Sequence, residues 1–311
     1  MNKKKVVTIG GGTGTFQLLK GLKNFDINLT AIVNMVDDGG SSGKLRDEMG
    51  VLPPGDIRRA LIALSDDTKM LRQVFEYRFN GHAEDHSLGN LILAALEKIT
   101  GDHGKAVKQA SDILNLRGKV LPVTTSKTNL FAELEDGSLI AGQSDVSYLK
   151  TESKIKRVFL DPEVSAYGET IKSILEADMV VICPGDLYGS IIPNFLVKGV
   201  KEAIKNCNAK ICYVCNLVTK EGNENFKSSD FVGEIEKYCG RKMDKILLNT
   251  KKPGKKVMDT YYDLEKSKFV EIDLDEERII KGEFLTEVWS DVKTILRHDP
   301  DVISEVLVSL L

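Results

Sequence analysis

The stretch from Val6 to Leu22 reads VVTIGGGTGTFQLLKGL. A short β-branched run ends in Gly10, Gly11, Gly12 and Gly14, interleaved with Thr13 and Thr15, and an apolar-periodic segment follows. Glycine at such a junction lets the backbone approach a phosphate closely. The start of a helix adds unpaired N–H groups and a partial positive charge. The chemistry on offer is recognition of a phosphoryl group, as part of a nucleotide, with a ligand-free tight turn as the competing reading. The dinucleotide fingerprint G-x-G-x-x-G is missing. Counted from Gly10 its last position is Thr15, and counted from Gly12 it is Gln17. The second strand ends in Asn34, where a ribose-binding acid would stand, which argues against a nicotinamide-dependent dehydrogenase. The Walker pattern is missing too, because Leu45 follows Gly43 and Lys44 in place of a hydroxyl residue.

Three further stretches carry polar residues at the ends of apolar runs. In NMVDDGGSSGKLRDEMG, Asn34 closes a strand, and Asp37 and Asp38 could bind Mg²⁺ or ligand hydroxyls. Ser41, Ser42, Gly43 and Lys44 could contact phosphate. DMVVICPGDLYGSIIPN repeats the design of the opening stretch. It places Pro184, Gly185 and Asp186 in a turn, with Ser190 and Asn194 on the helix beyond. In AKICYVCNLVTKEGNEN, Asn216 and Thr219 leave a buried strand. Two such glycine turns in one chain suggest a shared crevice. A side chain placed on Gly12 is expected to block the ligand and spare the fold, provided φ there is negative.

Other chemistries find little footing. His82 and His86 do not form H-E-x-x-H, and they lie between Asn80-Gly81 and Gly89-Asn90, so zinc is not expected. No serine stands in G-x-S-x-G. Cys212 and Cys215 make a C-x-x-C inside an apolar strand, where successive side chains diverge, and are expected to be buried thiols. Five cysteines in 311 residues argue for a reducing compartment. A net charge of −3 attracts neither nucleic acid nor an anionic membrane. No apolar run is long enough to span a bilayer, so a cytoplasmic protein without membrane insertion is expected.

The elements that must position these residues follow from periodicity. VVTIG and NLTAIVNMV read as strands flanking a helix that carries Phe16, Leu19 and Leu22 on one face. A polar, glycine-rich stretch then leads to helical sequence at about residues 57–117, read as an insertion with Asp56 as its N-cap. KVLPVTT returns to strand, and NLFAELEDGSLIAGQ is a hairpin around Asp136-Gly137. KRVFL, DMVVIC, AKICYVCNLV, KILLNT and KFVEID read as strands, and EVSAYGETIKSILEA and the segment from Pro193 to Asn206 as helices. The order predicts one α/β domain over residues 1–311: Rossmann-like, doubly wound, with a mainly parallel sheet, a helical insertion and a β-hairpin, completed by residues 225–311.

GGGTGTFQLLKGL, VNMVDDGGSSGKLRDEMGVLPPGDIRRAL, HSLGNLILAAL, DGSLIAGQ, CPGDLYGSIIPNFLVKGVKEAI and YVCNLVTKEGNE together resemble the YvcK/CofD-like family. They run in the family's order to about residue 225, and the rest, including ILRHDP, is similar but looser. The long insert after Asp38 resembles the YvcK branch, the gluconeogenesis factors. That resemblance implies cytoplasmic proteins that bind nucleotide sugars such as UDP-N-acetylglucosamine. They affect cell shape and wall synthesis on gluconeogenic carbon sources, with no reaction assigned. The CofD branch would imply a Mg²⁺-dependent transferase that moves a phospholactyl-type group from a GDP-linked donor to a deazaflavin. The resemblance places the nucleotide site on Gly11 to Thr15, Asn34 to Asp38, Gly89 and Asn90, Gly185 and its neighbours, and Asn216 with Thr219. The chain departs from the family at Asp186 and Gly189, where serine and threonine are usual, and at Lys220 and Glu221, where glutamine and proline are usual. A carboxylate at Asp186 would repel a diphosphate unless Lys220 or a metal offset it. In the looser part, Tyr262 and Arg297 could offer stacking and diphosphate contact. The partner expected is a nucleotide or nucleotide-sugar ligand, with self-association left open.

Overall fold

The computed structural model describes residues 3–66, 69–79, 86–149, 151, 153–290 and 294–311. His82 lies outside them. β1 (Lys5–Gly10) and β2 (Asn28–Val33) flank α1 (Gly12–Leu22), which buries Leu18, Leu19 and Leu22. Between β2 and the next strand stand α2 (Gly40–Met49), α3 (Gly55–Leu64), α4 (Lys69–Glu76), α5 (Leu88–Thr100) and α6 (His103–Ile113). β3 (Lys119–Pro122), β4 (Asn129–Leu134), β5 (Leu139–Ala141), α7 (Gln143–Ser147), β6 (Ile155–Asp161), α8 (Gly168–Leu175) and β7 (Met179–Ile182) follow. A wide turn of π geometry at Leu187–Ile191 leads into α9 (Ile192–Leu196) and α10 (Val200–Asn206). The chain continues through β8 (Lys210–Val214), α11 (Ser228–Cys239), β9 (Lys245–Asn249), α12 (Lys255–Glu265) and β10 (Ile279–Gly282). It closes with β11 (Leu285–Trp289), β12 (Thr294–His298) and α13 (Pro300–Ser309).

The central sheet has the order β10-β9-β8-β7-β1-β2-β3. Every neighbouring pair in it is parallel. Its strands are apolar on both faces, with all four residues of β7 buried, because helices cover both sides. The chain leaves β1 toward β2 and leaves β7 toward β8, so strand order reverses between β1 and β7. Open α/β sheets bind ligands at the carboxyl ends of the strands at that reversal. The expected hairpin forms from β4 and β5, with Gly137 at φ +85°, and joins β6 in a separate three-stranded antiparallel sheet.

Several local expectations are corrected. Helical structure begins earlier than about residue 57: the polar stretch after Asp38 contains α2, which ends on Gly50 in the left-handed conformation that favours glycine at a helix end. Asp56 is not an N-cap, because Pro54 holds that position and Asp56 lies inside the first turn of α3. Residues 163–167 are extended rather than helical. Lys198 N donates to Val164 O and Ala166 N donates to Lys198 O, and this pairing also breaks the expected helix before Gly199, which has φ +95°. KFVEID makes one isolated bridge, Phe269 to Val218, and joins no sheet. The antiparallel pair β11–β12 was not foreseen. Cys212 and Cys215 are buried, and burial pushes both thiols up to about 12.

α1 is held from outside by α3 and α13. At Gly21 a Cβ would stand 2.1 Å from Pro300 O and 2.3 Å from Ser304 Oγ, so the two helices meet backbone to backbone there. Gly21→Val should force them apart and destabilise the protein by about 1–3 kcal/mol, the range for an overpacked core site. A fall in the urea midpoint with an unchanged slope would register it.

Candidate functional site

The glycine turn after β1 and the turn after β7 lie against each other at the strand-order reversal. A Cβ on Gly14 would stand 1.9 Å from Pro184 O, one on Gly10 2.9 Å from Cys183 Cβ, and one on Gly185 3.5 Å from Gly11 O. Only glycine permits this approach at Gly14, since the obstacle is backbone. Gly11 precedes α1 in an extended conformation, φ −162°, and no side chain caps the helix from that position. Gly12 has φ +69°. The condition set for a side chain at Gly12 is therefore not met, and a substitution there would strain the backbone whatever it did to a ligand. Thr13 is exposed on the first turn. Thr15 is buried and its hydroxyl donates to Gly11 O at 3.1 Å, which ties the turn together from inside.

The head of α1 has a carboxylate beside it from α3: the Gly12 amide favours the charged form of Asp56, and a Cβ on Gly11 would come within 2.5 Å of Asp56 Oδ2. Asp56 is 6 % exposed. Burial pushes its carboxyl up to about 6, and the nearby Asp37 charge pushes the same way, while Arg59 acts against both. Arg59 Nη1 reaches Asp56 Oδ1 at 3.3 Å. Asp37 approaches from the loop after β2. Its Oδ2 and Ser42 Oγ lie 2.5 and 2.3 Å from the point where a Cβ on Gly55 would stand. The two carboxylates that share the mouth of the turn are thus Asp37 and Asp56.

Asp38, expected beside Asp37, is engaged elsewhere. Its two oxygens accept from Gln143 N at 2.7 Å and Ser144 N at 2.8 Å, so it caps α7 and ties the hairpin sheet to the loop after β2. Of the two aspartates expected to act together, Asp38 is thus taken up by backbone amides, and Asp37 has Asp56 for its nearest carboxylate neighbour. Gly43 packs on Asp38 O, Ser42 is buried toward Asp37, and Lys44 is exposed.

On the β7 side, Asn216 Nδ2 donates to Gly185 O at 2.7 Å and braces the turn. Asp186 Oδ1 accepts from Gly189 N at 3.0 Å, and Oδ2 meets Lys220 Nζ at 2.8 Å, so the carboxylate is offset by the lysine named from the sequence. Lys220 also stands 4.3 Å over the Tyr148 ring. Asn34 Nδ2 donates to Gly189 O, and Asn194 Nδ2 donates to Ser190 O and Ile191 O. The Oδ1 atoms of Asn34 and Asn194 are buried and without a partner among the described residues. Gly89 admits Arg58 and Phe75 to the face of α5, and Asn90 Oδ1 accepts from Arg58 Nε.

The remaining candidates sit further out. The Thr219 hydroxyl is buried and accepts from Lys268 N, which makes it a brace for the loop after β8. Tyr262 is exposed on α12, with Lys266 5.0 Å over its ring. Arg297 on β12 donates to Leu296 O. Burial lowers its guanidinium, and the charge of Arg59 adds to that. Sequence reasoning missed Asp56 and Arg59 as site residues. The signal available was Pro53-Pro54-Gly55, a turn that brings the next helix back onto the glycine loop.

The family model described as 2-phospho-L-lactate transferase CofD matches residues 6–287. The gluconeogenesis factor of Bacillus subtilis is 41 % identical over 99 % of this chain and 98 % of its own length. That of Halalkalibacterium halodurans is 41 % identical over 99 % and 96 %. A crystal structure of a protein from Bacillus halodurans superimposes with a TM-score of 0.92 at 41 % identity, covering 99 % of this chain and all of that one.

Asp56 has a sign that can be tested. Its folded value near 6 lies above its ordinary 3.8, so ionisation costs more in the folded state. The cost is absent below about 3.8, grows between 3.8 and 6, and is fully present above 6. Asp56→Asn removes it and should stabilise the unliganded protein by on the order of 1–3 kcal/mol at neutral pH. The gain should vanish as pH falls toward 4, and chemical denaturation at a series of pH values measures it.

Proposed function

The chain belongs to the family of the 2-phospho-L-lactate transferase CofD and stands with its gluconeogenesis factors, and on that premise we propose that it binds a nucleotide-linked diphosphate, first of all a UDP-sugar, in the crevice between β1 and β7. We read its role as regulatory: occupancy of the crevice reports nucleotide-sugar supply and adjusts cell shape and wall synthesis on gluconeogenic carbon sources. The observation that carries this is the pair of small-residue turns in backbone contact at the strand-order reversal, with the Gly11–Gly12 amides at the head of α1. Asn34 Oδ1 and Asn194 Oδ1 add buried acceptors beside it that lack a donor among the described residues. The names of the relatives support the regulatory side. No helix among the described residues is long and apolar enough to cross a membrane, in keeping with a cytoplasmic role.

Asp56 stands beside the amides that a phosphate oxygen would use. Two carboxylates beside a diphosphate repel it, and a divalent cation resolves the conflict. Mg²⁺ takes oxygen ligands and is commonly held by one or two carboxylates plus phosphates. Asp37 and Asp56 are suited to that role, and the ion would neutralise the diphosphate charge. Among the described residues no group of three or more acidic, histidine or cysteine side chains could hold a metal alone, so ion and ligand should bind together. This carboxylate pair is also what favours a second reading, a Mg²⁺-dependent transferase acting on a nucleotide-linked donor.

Calorimetric titration with UDP-N-acetylglucosamine, other UDP-sugars, GDP and NAD, each with and without Mg²⁺, tests the first reading. A UDP-sugar should bind best, and Mg²⁺ should strengthen it at least about tenfold, the effect of about 1.4 kcal/mol. Asp37→Asn should abolish the Mg²⁺ effect and leave the fold intact. No UDP-sugar binding at millimolar ligand would remove the proposal. Turnover of a GDP-linked donor with a deazaflavin would replace it with the second.

A further inference from the structure

The crevice takes the carboxyl ends of β1 and β7. At the other end of the sheet, a cavity of about 1100 Å³ opens over the first residues of β1, β2 and β3. Parallel pairing brings those residues to one level. Lys5 is in register with Asn28, and Thr30 with Lys119. Register partners share a face, as do residues two apart, so Lys5, Asn28, Thr30 and Lys119 form one polar floor. α8 makes a wall, with Lys172 in its last turn and Glu176 as its C-cap. Six basic and three acidic side chains line the cavity, in a chain whose net charge is −3.

Most of these charges have partners. Lys3 meets Asp26, Arg117 meets Asp66, and Lys23 Nζ donates to Ser65 O. Lys5 Nζ stands 2.8 Å from Glu176 Oε2. Lys119 and Lys172 differ. Neither side chain makes a hydrogen bond or an ion pair among the described residues, and Glu169, on the first turn of α8, pairs with neither. Both act through their charge on Glu176, which already holds Lys5. Three ammonium groups from three elements therefore surround one carboxylate, an excess of two positive charges. The rim is crowded in the same sense. Burial and the charges of Arg72, Arg117 and Lys20 lower the Lys23 ammonium, with Asp66 acting against them.

A concave surface with an excess of one charge concentrates ions of the other sign. Lysine binds phosphate as a point charge, which suits phosphate groups reached from several directions. The Asn28 amide and the Thr30 hydroxyl stand between the lysines and can add hydrogen bonds. The volume is of the order that small molecules occupy. We propose that this cavity is a second binding site, for a small molecule carrying two or more phosphate groups, held by Lys5, Lys119 and Lys172. β1 starts at Lys5 and ends at Gly10, so the two sites stand at opposite ends of one strand. The assignment is independent of what the crevice holds.

Inorganic tripolyphosphate, which has neither base nor sugar, is the probe. Calorimetric titration of the full chain at low salt, without divalent cations, should show it binding. Lys119→Gln combined with Lys172→Gln should weaken that binding about tenfold or more. Both side chains are exposed, so the thermal midpoint without probe should stay close to that of the parent. Lys105→Gln combined with Lys108→Gln removes the same charge from exposed positions on α6 outside the cavity. That control should leave the affinity within about twofold, because solvent and salt screen distant charges. A parent protein that binds no tripolyphosphate at millimolar concentration overturns the proposal. So does binding that the Lys119 and Lys172 substitutions leave unchanged, or that both pairs weaken equally. Should the first double variant not fold, Lys172→Gln alone is read in the same way.

Discussion

The architecture depends on one steric fact: two strand-to-helix turns touch through their backbones. Gly14 and the Pro184 carbonyl leave no room for a side chain between them, and Gly185 faces the Gly11 carbonyl at ordinary contact distance. A parallel sheet makes this possible because β1 and β7 are adjacent and in register, Val6 with Met179 through Ile9 with Ile182. Their carboxyl ends therefore finish at the same level, and the turns they launch have nowhere else to go. The buried Thr15 hydroxyl on one side and the Asn216 amide on the other fix each turn from behind. The walls of the crevice are main chain, braced by short polar side chains.

The opposing electrostatic term comes from the insertion between β2 and β3. It returns a carboxylate, Asp56, to the amide at the head of α1, where helix polarity favours a negative group. The same insertion supplies Arg59 and, through the loop after β2, Asp37. A second balance holds across the crevice, where Asp186 is neutralised by Lys220. Charge is thus matched at the β7 turn but leans negative at the β1 turn, where Arg59 faces two carboxylates, and the proposed diphosphate would have to displace one of them or arrive with a cation.

Much of this was readable in the residues. VVTIGGGTGTFQLL and DMVVICPGD announce strand, turn and helix with periodicity and glycine alone, because both lie in the buried centre where local pattern and tertiary demand agree. Lys220 as partner of Asp186 was also legible, since both stand at strand ends of neighbouring runs. What escaped was set by distant partners. Asp37 and Asp38 look equivalent in sequence. Only the placement of α7 assigns Asp38 to capping, and only the fold-back of α3 gives Asp37 its companion. α2 escaped because its polar, serine- and glycine-rich sequence lacks an apolar stripe, and it is held by contact with α5 rather than by propensity. KFVEID alternates like a strand but meets the loop after β8 instead of a sheet edge.

The contact between Gly21 and Pro300 joins the second element of the chain to its last helix. Two elements far apart in sequence thus share one seam, and α13 supports from outside the helix whose head carries the glycine turn. Anything that unseats α13 should loosen that turn from a distance, with no change in the residues that line it.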